Sequence, residues 1–223
     1  MIDHPLIAAV HNTSASIPPL RAALAEELPG AQLWNLIDDR LGIAADELNG
    51  ELSPGLRDRM LNLIRHGVTG GADAVVIACS MYGDVRAVAE RLITTPVFAS
   101  DTDMVAEITA AAPRRVAVLA SLKGAATDTT ARLTAALAGA DAVEVVPVFC
   151  DGAADAASRA DIPALVDLFA AELNGAAHPF DMVCIAQYSL SPAAAALADE
   201  IALPVASPPL SAARAIARRL AAS

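Results

Sequence analysis

Two segments of the chain repeat each other 108 residues apart, and this repeat constrains the fold more than any other feature. One segment begins at Asp73 and reads DAVVIACSMY, and the other begins at Asp181 and reads DMVCIAQYSL. In both, the apolar run ends six residues after the aspartate, at Cys79 and Gln187, and a proline heads the next apolar run seventeen residues later. The chain is therefore predicted to consist of two similar halves.

The apolar runs are typical of buried parallel strands. Short runs rich in Val, Ile and Ala alternate with longer segments of helical period, which is the pattern of βαβ units whose sheet is covered on both faces. Strands are predicted near Leu6–Val10, Gln32–Ile37, Ala74–Ala78, Val97–Ala99, Val116–Ala120, Val143–Phe149, Met182–Ala186 and Val205–Ser207. Helices are predicted near residues 17–28, 54–69, 84–93, 102–111, 126–138, 161–174, 192–202 and 210–221, with an irregular connection over 39–53.

The predicted fold class is α/β, with two pseudo-symmetric Rossmann-like lobes. Each lobe is expected to be a parallel four-stranded sheet flanked by helices. The first lobe is predicted to span residues 1–112 and the second residues 113–223. Packing of the last helix on the first lobe is left open as an alternative.

Four loops are expected to lie together at the carboxyl ends of the strands, where ligands of parallel sheets bind. They are residues 11–16, 79–83, 121–127 and 187–191. These loops hold hydroxyls, amides, one histidine and one cysteine, while carboxylates are scarce, and backbone N–H groups with hydroxyls suit an anion. The sequence thus predicts an active site in the inter-lobe cleft for a small anionic substrate.

Composition argues against several other classes. The formal charge of −11 disfavours nucleic acid as a partner, because nucleic-acid binding needs clustered Lys and Arg. The three cysteines form no CxxC pair, and no signal peptide is indicated, so we expect a reducing cytoplasm. No apolar run approaches the roughly 18 residues of a membrane span. The sequence holds neither a glycine-rich phosphate loop nor a metal-ligand spacing, so no cofactor, metal or membrane partner is expected.

A duplicated α/β chain of this length, with an apolar strand ending in Cys79 and an equivalent strand end at Gln187, resembles the aspartate/glutamate racemase superfamily. That superfamily includes amino-acid and hydantoin racemases, maleate cis-trans isomerases and arylmalonate decarboxylases. The resemblance covers almost the whole chain. It implies a cofactor-independent enzyme that acts on a small carboxylate or amino-acid-like substrate, and a homodimer.

The resemblance also implies a role for the paired strand ends. In racemases of this superfamily two cysteines face each other across the substrate, and the first maps onto Cys79. The second position holds Gln187, whose amide does not titrate near neutral pH. A single-cysteine mechanism then remains. In maleate isomerases the first-half cysteine adds to the double bond, and in arylmalonate decarboxylases a lone second-half cysteine protonates an enediolate.

Each cysteine has two interpretations. Cys79 is predicted to be catalytic because it precedes a helix N-terminal region that would stabilise a thiolate, and the alternative is a small core hydrophobe. Cys184 lies inside a strand and is predicted to be core. Cys150 ends another strand, and an alternative is that it replaces the missing second thiol.

Further residues are predicted to bind the substrate, and each also has a structural interpretation. His11 would bond a carboxylate or tune the thiol, or else hold a turn. Hydroxyls and amides at the strand ends would donate to an anion or cap helices. The predicted substrate-binding set is His11, Asn12, Thr13, Ser14, Ser80, Met81, Tyr82, Ser121, Gln187, Tyr188 and Ser189.

The sequence therefore predicts an isomerase of the racemase or cis-trans type that works through Cys79. The alternatives are a cysteine-dependent decarboxylase of a malonate-type acid and a catalytically inactive small-molecule binding protein. The other histidines, His4, His66 and His178, are predicted to lie on the surface.

Overall fold

Two parallel four-stranded sheets form the framework of the protein. A computed structural model describes residues 4–46, 52–138 and 143–222. The strand order is β2-β1-β3-β4 in one sheet and β6-β5-β7-β8 in the other. The eight strands are β1 Leu6–His11, β2 Gln32–Ile37, β3 Ala74–Ile77, β4 Val97–Ala99, β5 Arg115–Ala120, β6 Glu144–Phe149, β7 Met182–Ile185 and β8 Val205–Ala206. The predicted fold class and all eight predicted strands are confirmed.

Helices connect the strands as the βαβ pattern predicts. Ten α-helices are described: α1 Ile17–Glu27, α2 Arg40–Asp46, α3 Pro54–Thr69, α4 Val85–Ala89, α5 Ser100–Ala111, α6 Lys123–Ala136, α7 Ala153–Ser158, α8 Ile162–Asn174, α9 Ala194–Ile201 and α10 Pro208–Ala221. Three short 3-10 helices cover Ser14–Ser16, Ser80–Tyr82 and Tyr188–Ala193. None of the described helices is long and apolar enough to cross a membrane.

Two of these helices depart from the prediction. Helix α2 lies where an irregular connection was expected, and residues 47–51 of that region lie outside the described residues. Helix α7 was not predicted, because its sequence AADAAS has too few large apolar residues to show a helical period. It nevertheless buries Ala153 and Ala156 in the second core.

The chain divides into two compact units. The first comprises Met1–Asp103 and Pro209–Ser223, and the second comprises Met104–Pro208. The last helix, α10, thus belongs to the first unit, where Arg214 forms an ion pair with Glu27 of α1 at 2.9 Å. Most of α5 belongs to the second unit, where Met104 and Ile108 are buried. The predicted boundary between the two duplicated lobes, near residue 112, is a statement about the sequence repeat and stays a proposal.

The central strands β3 and β7 are apolar and buried along their whole length because both faces of each sheet are covered at its centre. In the second unit, Leu119 and Ile185 point to the side of Phe169 in α8. Their neighbours Val118 and Cys184 point to the opposite side, toward Met104 of α5. Successive side chains of a strand alternate between faces, so a sheet covered on both faces needs an uninterrupted apolar run.

A glycine permits close packing in the first unit. Helix α3 crosses β1 at Gly67, where an added Cβ would lie 2.8 Å from the Cβ of Ala8. Met60 and Ile64 of the same helix are fully buried against the sheet. Because real carbon atoms do not approach so closely, only glycine lets α3 lie this near to β1.

The repeated aspartates accept hydrogen bonds from the backbone at the start of β1 in the first unit and of β5 in the second. Asp181 accepts hydrogen bonds from the backbone N–H groups of Arg114 and Arg115, each at 2.9 Å. In the first unit Asp73 accepts one from Leu6 N–H at 2.8 Å. The aspartate that opens each repeat therefore stabilises the pairing of β1 with β3 and of β5 with β7.

Replacing Asp181 by alanine is expected to lower the free energy of unfolding by about 1 to 2 kcal/mol, since it leaves the N–H groups of Arg114 and Arg115, at the start of β5, without their acceptor. Urea unfolding at neutral pH measures this. Asp128→Ala on the exposed side of α6 is the control, with an expected change within about 0.5 kcal/mol. Equal effects of the two variants would show that Asp181 does not fasten β5.

Candidate active site

Cys79 lies at the carboxyl end of the first unit's sheet. It follows Ala78, whose N–H donates to Val10 O at 2.9 Å and so extends the pairing of β1 with β3. The backbone N–H groups of Met81 and Tyr82, in the 3-10 helix that follows, donate toward the Cys79 sulfur. The side chain is 7% exposed. The sulfur thus lies at the end of a strand beneath one turn of helix, close to the edge of the core.

Burial raises the pKa of the Cys79 thiol to about 11. The N–H groups of Met81 and Tyr82 oppose the rise, and the negative charge of Asp101 adds to it. The sequence-based expectation of a thiolate stabilised by a helix N-terminus is therefore wrong in direction. A single turn of 3-10 helix offers two amides, and they do not offset the loss of water around the sulfur. At neutral pH the thiol carries its proton.

The residues next to Cys79 have different surroundings. Tyr82 is fully buried, and its hydroxyl donates to Leu41 O of α2 at 3.0 Å. This placement favours a packing role for Tyr82. Met81 is half-buried against the same core. The Ser80 side chain lies outside what the structure describes, and the substrate contacts predicted for these three residues stay predictions.

His11 ends β1 and is fully buried. Its Nε2 lies 3.1 Å from Asn35 Oδ1 of β2, and its Nδ1 lies 2.6 Å from Ser16 Oγ. Because an amide oxygen only accepts, Nε2 carries the proton and donates to Asn35. The Ser16 hydroxyl lies within hydrogen-bond distance of both Nδ1 and Thr13 O, the latter at 2.9 Å, so its single proton is shared between these two acceptors. Burial lowers the pKa of His11 to about 4, so the ring is neutral. Both ring nitrogens are engaged, which favours the structural interpretation of this histidine.

The loop after His11 presents its polar groups to solvent. Thr13 and Ser14 are exposed and Asn12 is half-buried. Thr13 Oγ1 accepts from Ala15 N–H at 3.4 Å and caps the 3-10 helix Ser14–Ser16. Helix α1 begins after Ser16, which makes no side-chain cap bond. The capping role predicted for this loop thus falls on the 3-10 turn, and a substrate role for these residues stays a prediction.

In the second unit, Gln187 occupies the position equivalent to Cys79. It lies two residues beyond β7 and is half-buried. Its Oε1 accepts from Ser121 N–H at 2.8 Å and from Ser121 Oγ–H at 3.1 Å. These two bonds orient the amide, because only its oxygen can accept both. Within the described part of the chain Nε2 makes no hydrogen bond, so its two N–H donors are available to a ligand.

The rest of this strand end is polar at its surface and apolar beneath. Ser189 is exposed and Tyr188 half-buried, both in the 3-10 helix that follows Gln187. Ser191 is buried, and its hydroxyl donates to Gln187 O at 3.1 Å. Lys123 opens α6, with its Nζ 5.3 Å from the centre of the Phe149 ring. The predicted residues Ser121, Gln187, Tyr188 and Ser189 are thus gathered at one end of the second sheet.

The other cysteines belong to the core of the second unit. Cys184 is fully buried and its Sγ lies 3.5 Å from Met104 Sδ, which confirms the core prediction. Cys150 is 1% exposed, and burial raises its pKa to about 12. Its place within the core cluster disfavours the alternative in which Cys150 supplies a second acid or base. His4, His66 and His178 are exposed, as predicted.

Sequence reasoning missed two polar residues of the first unit. Asn35 lies on the edge strand β2 and accepts from His11. Asp101 follows β4, is 8% exposed, and acts electrostatically on Cys79. The signal that identifies Asp101 is strand register: Ile77 pairs with Ala99, and the residues two beyond them are Cys79 and Asp101.

No family model and no curated protein sequence matches the chain. Solved structures do match over nearly its full length. An aspartate racemase homologue from Pyrococcus horikoshii aligns over 100% of this chain and 100% of its own, with 12% identity and a TM-score of 0.71. A glutamate racemase from Francisella tularensis, solved with D-glutamate, covers 100% of this chain and 82% of its own, with 14% identity and a TM-score of 0.64.

An arylmalonate decarboxylase without ligand is similar as well. It covers 97% of this chain and 92% of its own, with 20% identity and a TM-score of 0.66. The protein therefore has the two-lobe α/β fold of the aspartate/glutamate racemase superfamily, and the predicted resemblance is confirmed for the fold.

Proposed function

We propose that the protein is a cofactor-independent enzyme that transfers a proton at the carbon next to a carboxylate of a small acid, with Cys79 as the group that carries the proton. The observation that carries the proposal is the position of Cys79, at the carboxyl end of a central strand with two backbone N–H groups directed at its sulfur. Racemases and a decarboxylase among the structural neighbours support this chemistry.

Isomerisation of the racemase type is the first candidate reaction, and it rests on the racemase neighbours. A glutamate racemase of this fold was solved with D-glutamate, so a small carboxylate or amino-acid-like substrate follows by analogy. In this reaction a base takes the α-proton and an acid returns one to the opposite face. The thiol of Cys79 carries its proton at rest and would be the acid of this pair, whereas the amide of Gln187 does not titrate and cannot take the α-proton, so the repeat supplies one of the two groups that racemisation needs.

Decarboxylation of a malonate-type acid is the second candidate, and two observations favour it. The Cys79 thiol is protonated at neutral pH, and Gln187 stands where a second thiol would otherwise lie in the repeat. In this reaction the bond to the leaving carboxylate breaks and carbon dioxide departs. Its electron pair forms an enediolate, Cys79 donates its proton to the carbon, and the resulting thiolate regains a proton from water.

The experiment that tests the proposal is a substrate panel incubated in D2O. Aspartate, glutamate, a 5-substituted hydantoin, maleate and an arylmalonate each report one reaction by NMR and circular dichroism. Racemisation gives deuterium at the α-carbon together with loss of optical activity, whereas decarboxylation gives one deuterium in the product and none exchanged later. Thiol-dependent conversion of any of these acids supports the proposal. If none of these compounds is converted, the proposed catalysis on this substrate class is wrong, and the protein is a binding module.

Gln187 is proposed to bind the substrate carboxylate through Nε2, since Ser121 already holds its oxygen. Gln187→Glu is the most informative variant, because it keeps an oxygen that can accept from Ser121 and replaces the Nε2 donor by a negatively charged oxygen. We expect KM to rise about tenfold or more, as for the loss of a charge-assisted hydrogen bond. Steady-state kinetics with the best acid measures this, and an unchanged KM would remove Gln187 from the binding site.

A further inference from the structure

Strand β2 is the last strand on one side of the first sheet, and only its inner side is paired. Gln32 N–H donates to Pro5 O at 2.8 Å, and Asp38 N–H donates to His11 O at 3.0 Å. Backbone groups alternate in direction along a strand, so every second residue between Gln32 and Asp38 directs its N–H and C=O groups away from β1. No backbone hydrogen bond from the described part of the chain reaches this outer edge of β2. The residues that form the outer edge are Leu33, Asn35 and Ile37.

The equivalent edge strand of the second sheet, β6, is protected by a proline. Glu144 N–H donates to Arg114 O at 2.8 Å, and the same alternation places Pro147 on the outer edge of β6. Proline has no N–H, and on an edge strand it hinders pairing with another chain. Asn35 holds the same position in β2, because each is the fourth residue of its strand. Of the two duplicated edges, one is therefore protected and the other is open.

The side chains of the outer edge of β2 complement a second copy of the same strand. Ile37 is 47% exposed, and Leu33 is half-buried. In an antiparallel pair of β2 strands centred on Asn35, Leu33 of one copy lies opposite Ile37 of the other. Directly opposed apolar side chains stabilise a sheet. The three pairs of opposed residues exchange both of their backbone groups, which gives about six main-chain hydrogen bonds.

The charges beside β2 are compatible with this pairing. Asp38 of one copy faces Gln32 of the other, an exposed amide. Asp39 of one copy approaches the strand end at which the His4 ring of the other lies, with Nδ1 3.3 Å from Gly30 O. Histidine is partly protonated near neutral pH, so opposite charges meet there. The formal charge of −11 repels two copies at longer range, and salt at about 0.15 M screens that repulsion beyond about 8 Å.

We propose that the outer edge of β2 is an interaction surface for a second copy of the protein, and that the two β2 strands pair antiparallel about a twofold axis at Asn35. A twofold contact of this kind uses the open edge of both copies, so it gives a dimer that does not grow further. A six-residue strand gives an interface at the low end of specific contacts, so we expect a dissociation constant of about 10 µM. The inference does not depend on the proposed function.

Sedimentation velocity at neutral pH in about 0.15 M salt, over protein concentrations of about 1 to 300 µM, measures the association. We expect monomer at the lowest concentration and dimer at the highest. Ile37→Lys places a charge on the outer edge of β2 and should weaken dimerisation at least about tenfold. Phe149→Lys, at the equivalent position of β6, is the matched control and should leave dimerisation unchanged. Both side chains are exposed, so we expect both variants to stay folded.

Hydrogen–deuterium exchange identifies the surface that pairs. In the proposed dimer the outer N–H groups of β2 are hydrogen-bonded, so residues 32–38 should gain protection of about three amides at high protein concentration during labelling, compared with low concentration. Residues 144–150 of the second sheet should show no such gain. A protein that stays monomeric up to the highest concentration, or that forms larger assemblies, overturns the proposal. A dimer without this protection, or one that Ile37→Lys leaves intact, uses another surface and overturns it as well.

Discussion

Replacing Cys79 by alanine is expected to lower kcat for the best acid by about 10²- to 10⁴-fold, the usual contribution of a positioned acid or base. The loss should come without unfolding. The side chain is small and stands at the edge of the core, so its removal is expected to lower the free energy of unfolding by about 1 kcal/mol. Turnover of the variant, with urea unfolding beside it, measures both quantities.

Cys150→Ala is the matched control for this loss. Cys150 also follows a strand end and is also buried, but it lies within the core of the second unit. We expect a similar loss of stability and no change in kcat beyond about twofold. A Cys79→Ala protein that turns over its substrate as fast as the unaltered one would show that the thiol takes no part in the chemistry.

The pH dependence of turnover distinguishes the roles open to Cys79. With a pKa of about 11, the thiol is protonated throughout pH 6 to 9. If the protonated thiol is the active form, ionisation of Cys79 does not change kcat/KM between pH 6 and 9, and kcat/KM falls only as the pH approaches 11. If the thiolate were the base or the nucleophile, kcat/KM would rise about tenfold with each pH unit over the same range.

The sequence predicted the strands well because their signal is local. The repeated segments DAVVIACS and DMVCIAQY contain β3 and β7 at equivalent positions. The aspartate that begins each segment accepts a backbone hydrogen bond from the first residue of the neighbouring strand, Leu6 of β1 or Arg115 of β5. Burial on both faces leaves a continuous apolar run, which a single sequence displays directly. Alignment of the two repeated segments then predicted that Cys79 and Gln187 occupy equivalent strand ends.

The environment of these residues was less predictable because it depends on distant parts of the chain. The sequence displays the two amides after Cys79 but not the depth at which the sulfur lies, so the direction of its pKa change was missed. Tyr82 follows Cys79 closely, yet its hydroxyl bonds to Leu41, forty-one residues earlier. Helix α2, which supplies that carbonyl, is seven residues long and has no distinct period. Contacts of this kind are decided by packing rather than by local pattern.

His11 is expected to make the stability of the protein depend on pH below neutrality. Its pKa falls from 6.5 to about 4 on folding, because burial disfavours the charged ring. Between these values the unfolded chain binds a proton that the folded chain does not, so the free energy of unfolding decreases as pH falls. The slope is about 1.4 kcal/mol per pH unit, and the loss from pH 7 to pH 4 amounts to roughly 3 kcal/mol from this residue alone.

A comparison with His11→Gln isolates this contribution, because the carboxylates of the chain titrate alike in both proteins. At pH 7 the variant should be less stable by about 1 to 3 kcal/mol, since the bonds to Asn35 and Ser16 are lost or weakened. At pH 4.5 that difference should shrink by about 2 to 3 kcal/mol, or reverse, because glutamine binds no proton in the unfolded chain. Urea unfolding at pH 7, 6, 5 and 4.5 measures it, with His178→Gln, at an exposed position, as the control for loss of a histidine.

The sign of this effect identifies the state of the ring in the folded protein. A His11 that is neutral and donates to Asn35 must lose stability on acidification, while a charged His11 would be stabilised by the same change. If the free energies of unfolding of the two proteins differ by the same amount at every pH, the pKa of His11 does not change on folding. The conclusion that the His11 ring is neutral between Ser16 and Asn35 would then be wrong. A shrinking difference instead shows a histidine that is held uncharged at the end of β1, where it fixes the loop of Asn12, Thr13 and Ser14 and cannot act as an acid near neutral pH.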